Sequence, residues 1–219
     1  MTKTVPFIFL MSIFISCSPQ FKPLFNGTNL NGWYAYTATE KKHENAQDIY
    51  PISDNMVRFY GEKVGYLMTN KSYKNFELTV DYRWNIEKQY HRNENKKNSG
   101  VMYNIPTSTP DTLWPRGIQF QVKEGATGDF VLLDSVTINV KGVRNVAGKS
   151  VTVGRLKDNE KPFGEWNTLL IQSKNGHCSQ FLNGQLVNEG TEATSKEGRI
   201  LLQYEGSPID FKNIKIKKF

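Results

Sequence analysis

The 219-residue sequence contains little cysteine, and Cys17 and Cys178 are the only two. Cys17 lies at the end of a predicted export signal, so the mature domain would keep Cys178 alone and could not form an intrachain disulfide. This excludes a fold that depends on disulfide bonds, as many small exported domains do. Stability must therefore come from a hydrophobic core, which about 200 residues are long enough to bury.

Long apolar segments are also scarce. One run, residues 5–15, follows Met-Thr-Lys and precedes Ser-Cys at 16–17, the order of charged, apolar and small residues in a secretory signal. It is too short to span a bilayer comfortably. Phe-Ile-Ser-Cys at 14–17 resembles a bacterial lipobox, whose cysteine is diacylated. We therefore expect a lipoprotein signal peptide at 1–16, lipidation of Cys17, a tether at 17–22 and a cell-envelope location, periplasmic or surface-anchored. The alternative is an ordinary signal peptide.

Ligand-type residues are sparse as well. His43, His91 and His177 are scattered without metal-ligand spacing, so we expect no metal centre and no cofactor. Asp129, in Thr-Gly-Asp, could hold a loop calcium or stabilise a turn, and we expect the turn. Cys178 is expected to be a small buried hydrophobe.

A formal net charge of +7 does not by itself indicate a nucleic-acid-binding protein. Much of the excess lies at residues 91–97 and 212–218, and in the second segment lysine alternates with isoleucine as on a solvated strand face. Since an exported protein rarely meets nucleic acid, we expect no such partner. Membrane contact is expected only through the lipid anchor, and the oligomeric state is left open.

Helical periodicity is rare, whereas short alternating segments separated by Gly, Asn, Asp and Pro recur throughout. This pattern predicts an all-β sandwich or jelly roll. Asn175-Gly176 and Asn183-Gly184 predict tight hairpin turns. Residues 23–219 show no repeat or linker and are predicted to form one domain, with long loops at 35–51, 86–98, 106–115 and 125–162. The predicted strands are 56–60, 66–69, 76–84, 100–105, 117–123, 166–174, 177–182, 185–189, 198–205 and 209–217.

Three of these strands carry polar side chains at alternate positions, opposite their apolar ones. We expect the three polar sets to line one hollow, since amides, guanidinium groups and carboxylates form paired hydrogen bonds to vicinal sugar hydroxyls. The alternative is an ordinary solvent-facing sheet surface. Trp114 and Tyr103 are candidates for stacking on a sugar ring, although Tyr103 shares the parity of core residues. The polar candidates on the strands are Asp81, Arg83, Gln119, Gln121, Lys123, Gln203 and Glu205.

Several phrases, taken in order from residue 24 to the C terminus, resemble the 3-keto-disaccharide hydrolase domain family. They are Leu-Phe-Asn-Gly-Thr-Asn-Leu-Asn-Gly-Trp at 24–33, Asn-Ser-Gly-Val-Met-Tyr at 98–103, Pro-Arg-Gly-Ile-Gln-Phe-Gln at 115–121, Gly-Glu-Trp-Asn at 164–167 and Gly-Arg-Ile-Leu-Leu-Gln at 198–203. The family is similar in fold to concanavalin A-like lectins and laminarinase-type glucanases. The resemblance therefore implies a jelly-roll sandwich of two curved antiparallel sheets.

The resemblance also implies cleavage of a glycosidic bond in a sugar already oxidised at C3, by removal of the C2 proton and elimination at C1. Such a site needs a base and a group that stabilises the enolate oxygen. Glu205 is the first candidate for base or acid, followed by Glu124 and Asp81. The candidates that would stabilise negative charge are Arg83, Arg116 and Lys123, and the expected substrate is a small oligosaccharide or glycoside.

Two other functions stay open from the sequence. A two-carboxylate glycosidase needs a carboxylate pair flanking the scissile bond, but the strand at 117–123 offers Gln119, Gln121 and Lys123 instead. A lectin-like surface module would bind glycan without chemistry. The presence or absence of carboxylates converging with a cation distinguishes this module from an enzyme.

Overall fold

The computed structural model describes residues 19–88 and 96–219; the signal peptide, Cys17 and His91 lie outside these ranges. The described chain forms strands and one 3₁₀ turn, Ala46–Asp48. The strands are β1 Lys22–Pro23, β2 Trp33–Thr37, β3 Lys41–His43, β4 Ile52–Ser53, β5 Met56–Phe59, β6 Gly65–Thr69, β7 Tyr73–Lys74, β8 Phe76–Trp84, β9 Asn98–Ile105, β10 Gly117–Lys123, β11 Phe130–Leu133, β12 Asn139–Val140, β13 Val143–Arg144, β14 Ser150–Val153, β15 Asn167–Lys174, β16 His177–Leu182, β17 Gln185–Gly190, β18 Glu197–Tyr204 and β19 Ile209–Lys218.

Two large antiparallel sheets contain almost all of these strands. Sheet I has eight strands in the order β17-β16-β15-β8-β19-β5-β4, with β1 paired to β19. Sheet II has nine strands in the order β14-β11-β10-β9-β18-β6-β2-β3, with β7 paired to β18. The predicted all-β sandwich is confirmed. Within the described residues, no helix is long and apolar enough to cross a bilayer.

The core lies between the sheets and follows the predicted alternation. In β8 the buried positions include Phe76, Leu78 and Val80, and in β10 they include Ile118 and Phe120. Each strand therefore turns one face inward, where apolar burial stabilises the fold by about 25 cal/mol per Å². The other face of each sheet points away from this core, and that of sheet II carries a second, smaller apolar cluster beside its polar groups.

The hairpin predictions are confirmed by backbone geometry. Asn183 and Gly184 have φ values of 50° and 80°, and Asn175 and Gly176 have 51° and 85°. Both central positions of a type I′ turn require positive φ, which asparagine and glycine tolerate. These turns connect β15, β16 and β17 as consecutive antiparallel neighbours.

The long predicted loops contain strands that the sequence pattern missed. Most of β2 and all of β3 lie within 35–51, and β11 to β14 lie within 125–162. β2 matters most for function, because it extends sheet II beside β6 and brings its alternate side chains onto the sheet's outer face.

Candidate functional site

The outer face of sheet II carries rows of side chains that run across the strands. One row is fixed by direct register partners: Gln121 opposite Gly100, Gly100 opposite Gln203, Gln203 opposite Tyr66, and Tyr66 opposite Tyr36. Directly opposed residues in antiparallel strands share a face, so these five residues line one surface. Polar amides occupy one half of the row and aromatic rings the other.

Glu205 lies at the end of this surface, immediately after β18. Asn98 donates from Nδ2 to Glu205 Oε2 at 2.7 Å, and Gln203 donates from Nε2 to Oε1 at 2.8 Å. Trp114 donates from its indole Nε1 to Oε1 at 3.3 Å. Donors from two strands and a loop thus hold both carboxylate oxygens in a defined orientation.

A chain of side-chain amides leads from the middle of the sheet to this carboxylate. Gln119 donates to Gln121 Oε1, and Gln121 donates from Nε2 to Asn98 Oδ1 at 3.2 Å. Gln119 is 4% exposed and Gln121 9% exposed. Because buried amides are costly unless hydrogen-bonded, this connected chain fixes the direction of each amide.

Gly100 creates the space that the amide chain occupies. A Cβ added at this position would lie 2.6 Å from Gln119 Cδ, far inside van der Waals contact. Glycine therefore lets the Gln119 side chain lie across β9. The phrase Asn-Ser-Gly at 98–100 supplies both this space and the amide that contacts Glu205.

The loop at 106–116 covers the tyrosine half of the face and is held there by Asp111. The hydroxyls of Tyr34 and Tyr66 donate to Asp111 Oδ1 at 2.6 and 2.8 Å. Arg199 donates to the Tyr34 hydroxyl at 2.7 Å and to the carbonyl oxygen of Thr109 at 3.1 Å. Burial, followed by the hydrogen bond to Asp111, raises the pKa of both tyrosines, so each hydroxyl stays protonated as a donor.

This loop forms one wall of a cavity of about 130 Å³ at the end of the amide rows. The Trp114 side chain is 54% exposed while its indole nitrogen contacts Glu205. An exposed aromatic face beside a carboxylate and amides suits a sugar ring, which presents apolar C–H groups and hydroxyls together. The residues around the cavity include Val64, Gly65, Leu113, Trp114, Gln203 and Glu205.

The prediction that Asp81 and Arg83 share this surface is wrong. Both lie on β8, in sheet I, so their side chains project from the opposite outer face of the sandwich. Arg83 donates from Nε to Asp210 at 2.9 Å, and Asp81 accepts hydrogen bonds of 2.7 Å from Thr168 and Asn213. Alternation correctly separates the two faces of β8, but it does not tell which of the two sheets contains the strand.

Tyr103 and Arg116 are also misplaced in the prediction. Tyr103 is fully buried in the core, where Gln180 donates to its hydroxyl at 3.2 Å. Arg116 precedes β10, at the opposite end of this strand from Lys123, and donates to the carbonyl oxygen of Asp134. Tyr103 therefore points away from the candidate face, and Arg116 is separated from the Glu205 end of β10 by seven strand residues, which span about 20 Å.

Lys123 and Glu124 are adjacent in sequence but have different surroundings, because β10 ends between them. Lys123 has the parity of Gln119 and Gln121 and is the register partner of Asn98, so it belongs to the candidate face. The carboxylate of Glu124 meets Lys97 Nζ at 2.8 Å, and this hydrogen bond lowers the pKa of Glu124. Glu124 therefore lies on the rim in an ion pair with Lys97, outside the hydrogen-bond network that holds Glu205.

Asp129 ties together two segments beside the sheet. Its Oδ1 accepts the backbone N–H of Arg155 at 2.8 Å and lies 3.8 Å from the guanidinium of the same residue. The prediction that the Asp129 side chain stabilises a local turn is wrong, because this side chain links two segments that are 26 residues apart. Across residues 19–88 and 96–219, no group of three or more His, Cys, Asp or Glu side chains is arranged to hold a metal ion.

Several residues of the site were not predicted from the sequence. Asn98 lies at the end of a predicted loop but begins β9, and Asp111 and Arg199 were not among the candidates. Tyr34 and Tyr36 could have been predicted, because β2 alternates: Trp33 and Ala35 pack in the core between the sheets, and the two tyrosines pack on the outer face.

Comparison with solved structures supports the fold. A proposed glycosyl hydrolase from Parabacteroides distasonis is 20% identical, with a TM-score of 0.65 over 91% of this chain and 94% of that chain. A β-glucanase from Bacillus licheniformis is 13% identical, with a TM-score of 0.54 over 93% and 99% of the two chains. A carbohydrate-binding module from Bacillus subtilis is 12% identical, with a TM-score of 0.53 over 85% and 90%. These likenesses identify the jelly-roll fold that glucanases and carbohydrate-binding modules share.

A comparison with curated protein sequences finds no significant match. The family model of the 3-keto-alpha-glucoside-1,2-lyase-like domain, in contrast, matches residues 20–217. The match includes every strand of the two sheets apart from the last residue of β19. The chain therefore belongs to the family of 3-keto-alpha-glucoside-1,2-lyase-like domains.

Proposed function

We propose that this domain cleaves the glycosidic bond of small 3-keto-glycosides, with Glu205 as the base that removes the C2 proton. One observation carries the proposal: Glu205 lines the cavity while Asn98, Gln203 and Trp114 fix both of its oxygens. A base must be held within hydrogen-bond reach of the proton that it abstracts, and this arrangement holds the carboxylate beside the exposed indole of Trp114.

The reaction follows from the ketone. A carbonyl at C3 acidifies the C2 hydrogen, so Glu205 takes that proton and the electron pair delocalises onto the C3 oxygen as an enolate. The electrons then form the C1–C2 double bond while the C1–O bond breaks, and the departing oxygen takes up a proton. Water adds across the double bond to give the free 3-keto-sugar, so the overall change is hydrolysis.

The other residues have distinct proposed roles. Lys123 supplies a positive charge on the same face, opposite Asn98 in register, and is the proposed partner of the enolate oxygen. Trp114 would stack on the sugar ring. The amides of Gln119 and Gln121 would bind hydroxyl groups and keep Asn98 oriented. This division requires one carboxylate and one cation, and no second carboxylate facing Glu205.

The test compares 3-keto-glucosides with their unoxidised parents and follows release of the aglycone. We expect release from the ketone only, and Glu205→Gln should lower kcat/KM by about 100-fold or more, as expected for removal of a general base. Asp81→Asn is the matched control, because it makes the same chemical change on the opposite outer face. Release from the unoxidised parents, or full turnover by the Glu205→Gln variant, would refute the proposal.

A non-catalytic glycan-binding domain is the second candidate. The observation that favours it is the abundance of amides, since Gln119, Gln121 and Gln203 are neutral groups that bind hydroxyls without chemistry. Saturable binding of a glycoside with no release of aglycone from any substrate would support this alternative.

A further inference from the structure

Glu205 and Lys218 lie at opposite ends of the sandwich, because the whole length of β19 lies between them. Glu205 follows β18 directly, and the chain then runs the length of β19 from Ile209 to Lys218. Ten strand residues span about 33 Å. We call the end of the molecule that contains Lys218 the anchor pole, and it lies about 30 Å from the Glu205 cavity along the strand direction.

The N-terminal segment returns to this same pole. β1 pairs with β19, with Lys22 opposite Ile216 and Pro23 opposite Lys215. This pairing places Phe21 beside the end of β19, where Lys217 Nζ lies 5.3 Å from the centroid of its ring. The first described residues are thus held against sheet I by the pairing of β1 with β19.

The anchor pole combines exposed aromatic rings with lysines. Phe21 is 40% exposed and Phe219 is 48% exposed. Lys217 Nζ lies 5.9 Å from the Phe219 ring centroid and Lys174 Nζ lies 4.8 Å from it. Glu77 meets Lys217 at 2.5 Å and offsets one of the positive charges. Further lysines at this pole include Lys22, Lys215 and Lys218.

A hollow of about 330 Å³ opens between the N-terminal segment and β19. It is lined by Pro19, Gln20, Lys22, Ile216 and Lys218, so apolar surface and two ammonium groups share one opening. Phenylalanine rings favour the boundary between headgroups and acyl chains, and each lysine near an anionic bilayer adds about fivefold to binding.

We propose that the anchor pole docks onto an anionic lipid bilayer, the membrane to which Cys17 is attached through its lipid. Three residues lie between Cys17 and Phe21, so the four Cα-to-Cα steps connect the lipid to the described fold by at most about 14 Å of chain. A tether this short brings one face of the domain against the bilayer, and the face at its end is the aromatic and basic one. Docking in this orientation directs the Glu205 cavity away from the membrane and toward soluble glycosides.

The docking surface can be tested without the lipid. A chain beginning at Ser18 contains every described strand, and its binding to vesicles of phosphatidylcholine alone is compared with binding to equal parts phosphatidylglycerol and phosphatidylcholine, by co-sedimentation. We expect binding to the anionic vesicles that weakens as salt approaches about 1 M, where the Debye length is about 3 Å. Lys22→Glu with Lys174→Glu should lower the binding constant by about 25-fold or more.

The matched control is Lys88→Glu with Lys157→Glu, which makes the same change of charge at the opposite pole. Equal loss in both double variants, or equal binding to both vesicle types, would overturn the docking surface. In the full-length lipoprotein, labelled palmitate should be incorporated and should be lost with Cys17→Ala. A chain without label would overturn the tether. Neither result depends on turnover, so this proposal can fail while the proposed activity stands.

Discussion

At the scale of single residues, the candidate site depends on the absence of a side chain at Gly100. Gly100 occupies the centre of the amide rows, between Gln121 and Gln203, and any Cβ there would collide with Gln119. Its φ does not lie in the left-handed region, so the requirement is for space alone. The Gln119 side chain therefore occupies the space that any side chain at position 100 would need.

Gly100→Ala tests this requirement. The added methyl group should displace Gln119, lower the free energy of unfolding by about 1–3 kcal/mol through overpacking, and weaken glycoside binding. Chemical denaturation and calorimetric titration measure the two effects. Gly61→Ala is the matched control, since the nearest atom to its Cβ would be 3.9 Å away.

A second variant separates the clash from other causes. Gly100→Ala combined with Gln119→Ala removes the side chain that blocks the methyl group, so most of the lost stability should return while binding stays weak. If the single variant were as stable as the original protein, Gln119 would not be packed across Gly100 as the structure has it.

At the scale of secondary-structure elements, the loop at 106–116 shapes the site. Asp111 accepts two tyrosine hydroxyls, Arg199 reaches the carbonyl oxygen of Thr109, and Leu113 and Trp114 then line the cavity. The loop has no regular secondary structure of its own, so its position depends on these partly buried hydrogen bonds.

Asp111→Ala should release the loop. Two buried hydroxyls would lose their acceptor, at a cost of about 1–3 kcal/mol in the free energy of unfolding. Because Trp114 moves with the loop and Glu205 does not, KM for a 3-keto-glycoside should rise more than kcat falls. Hydrogen exchange should accelerate at 106–116. Asp48→Ala, at an exposed aspartate, is the control, and unchanged exchange in the loop would contradict this role of Asp111.

The sequence predicted the positions of the strands better than it predicted which strands belong to the same sheet. Alternation identified the polar faces of β8, β10 and β18 correctly, and the Asn-Gly turns placed β15 to β17. It could not show that β8 belongs to one sheet and β10 to the other, because that depends on long-range pairing. Arg83 and Asp81 were therefore assigned to the wrong surface, while Gln121, Gln203 and Glu205 were correctly grouped.

The two parts of the site differ in how well they can be predicted from the sequence. Glu205 and the amides lie on strands with clear alternation. Trp114 was predicted as an aromatic candidate, but the path of its loop was not. That path depends on the hydrogen bonds of Asp111 with Tyr34 and Tyr66, which lie far away in sequence. Local patterns contain no information on such a contact.

At the scale of the whole molecule, the rate at which one buried thiol reacts can be used to follow opening of the sandwich. Cys178 lies on β16, is fully buried in the core, and is the sole cysteine of a chain that begins at Ser18. Burial raises the pKa of this thiol to about 11, which keeps it neutral and poorly nucleophilic.

We expect Cys178 to react with an aromatic disulfide reagent at pH 8 only as fast as the protein opens. Labelling should be slow in native conditions and should accelerate with denaturant in parallel with global unfolding, since β16 lies inside sheet I between β15 and β17. Rapid stoichiometric labelling of the native protein would show that this part of the core opens independently.

The same thiol predicts how stability responds to alkali. Its pKa is raised on folding, so the stabilisation from the neutral thiol is fully present below the ordinary value of about 9 and is lost as the pH rises through about 11. Denaturation followed between pH 8 and 11 should show this decrease, and Cys178→Ala, although less stable throughout because of its cavity, should lack that component. An identical alkaline slope in the two proteins would mean that the thiol does not ionise less readily in the folded core than in the unfolded chain.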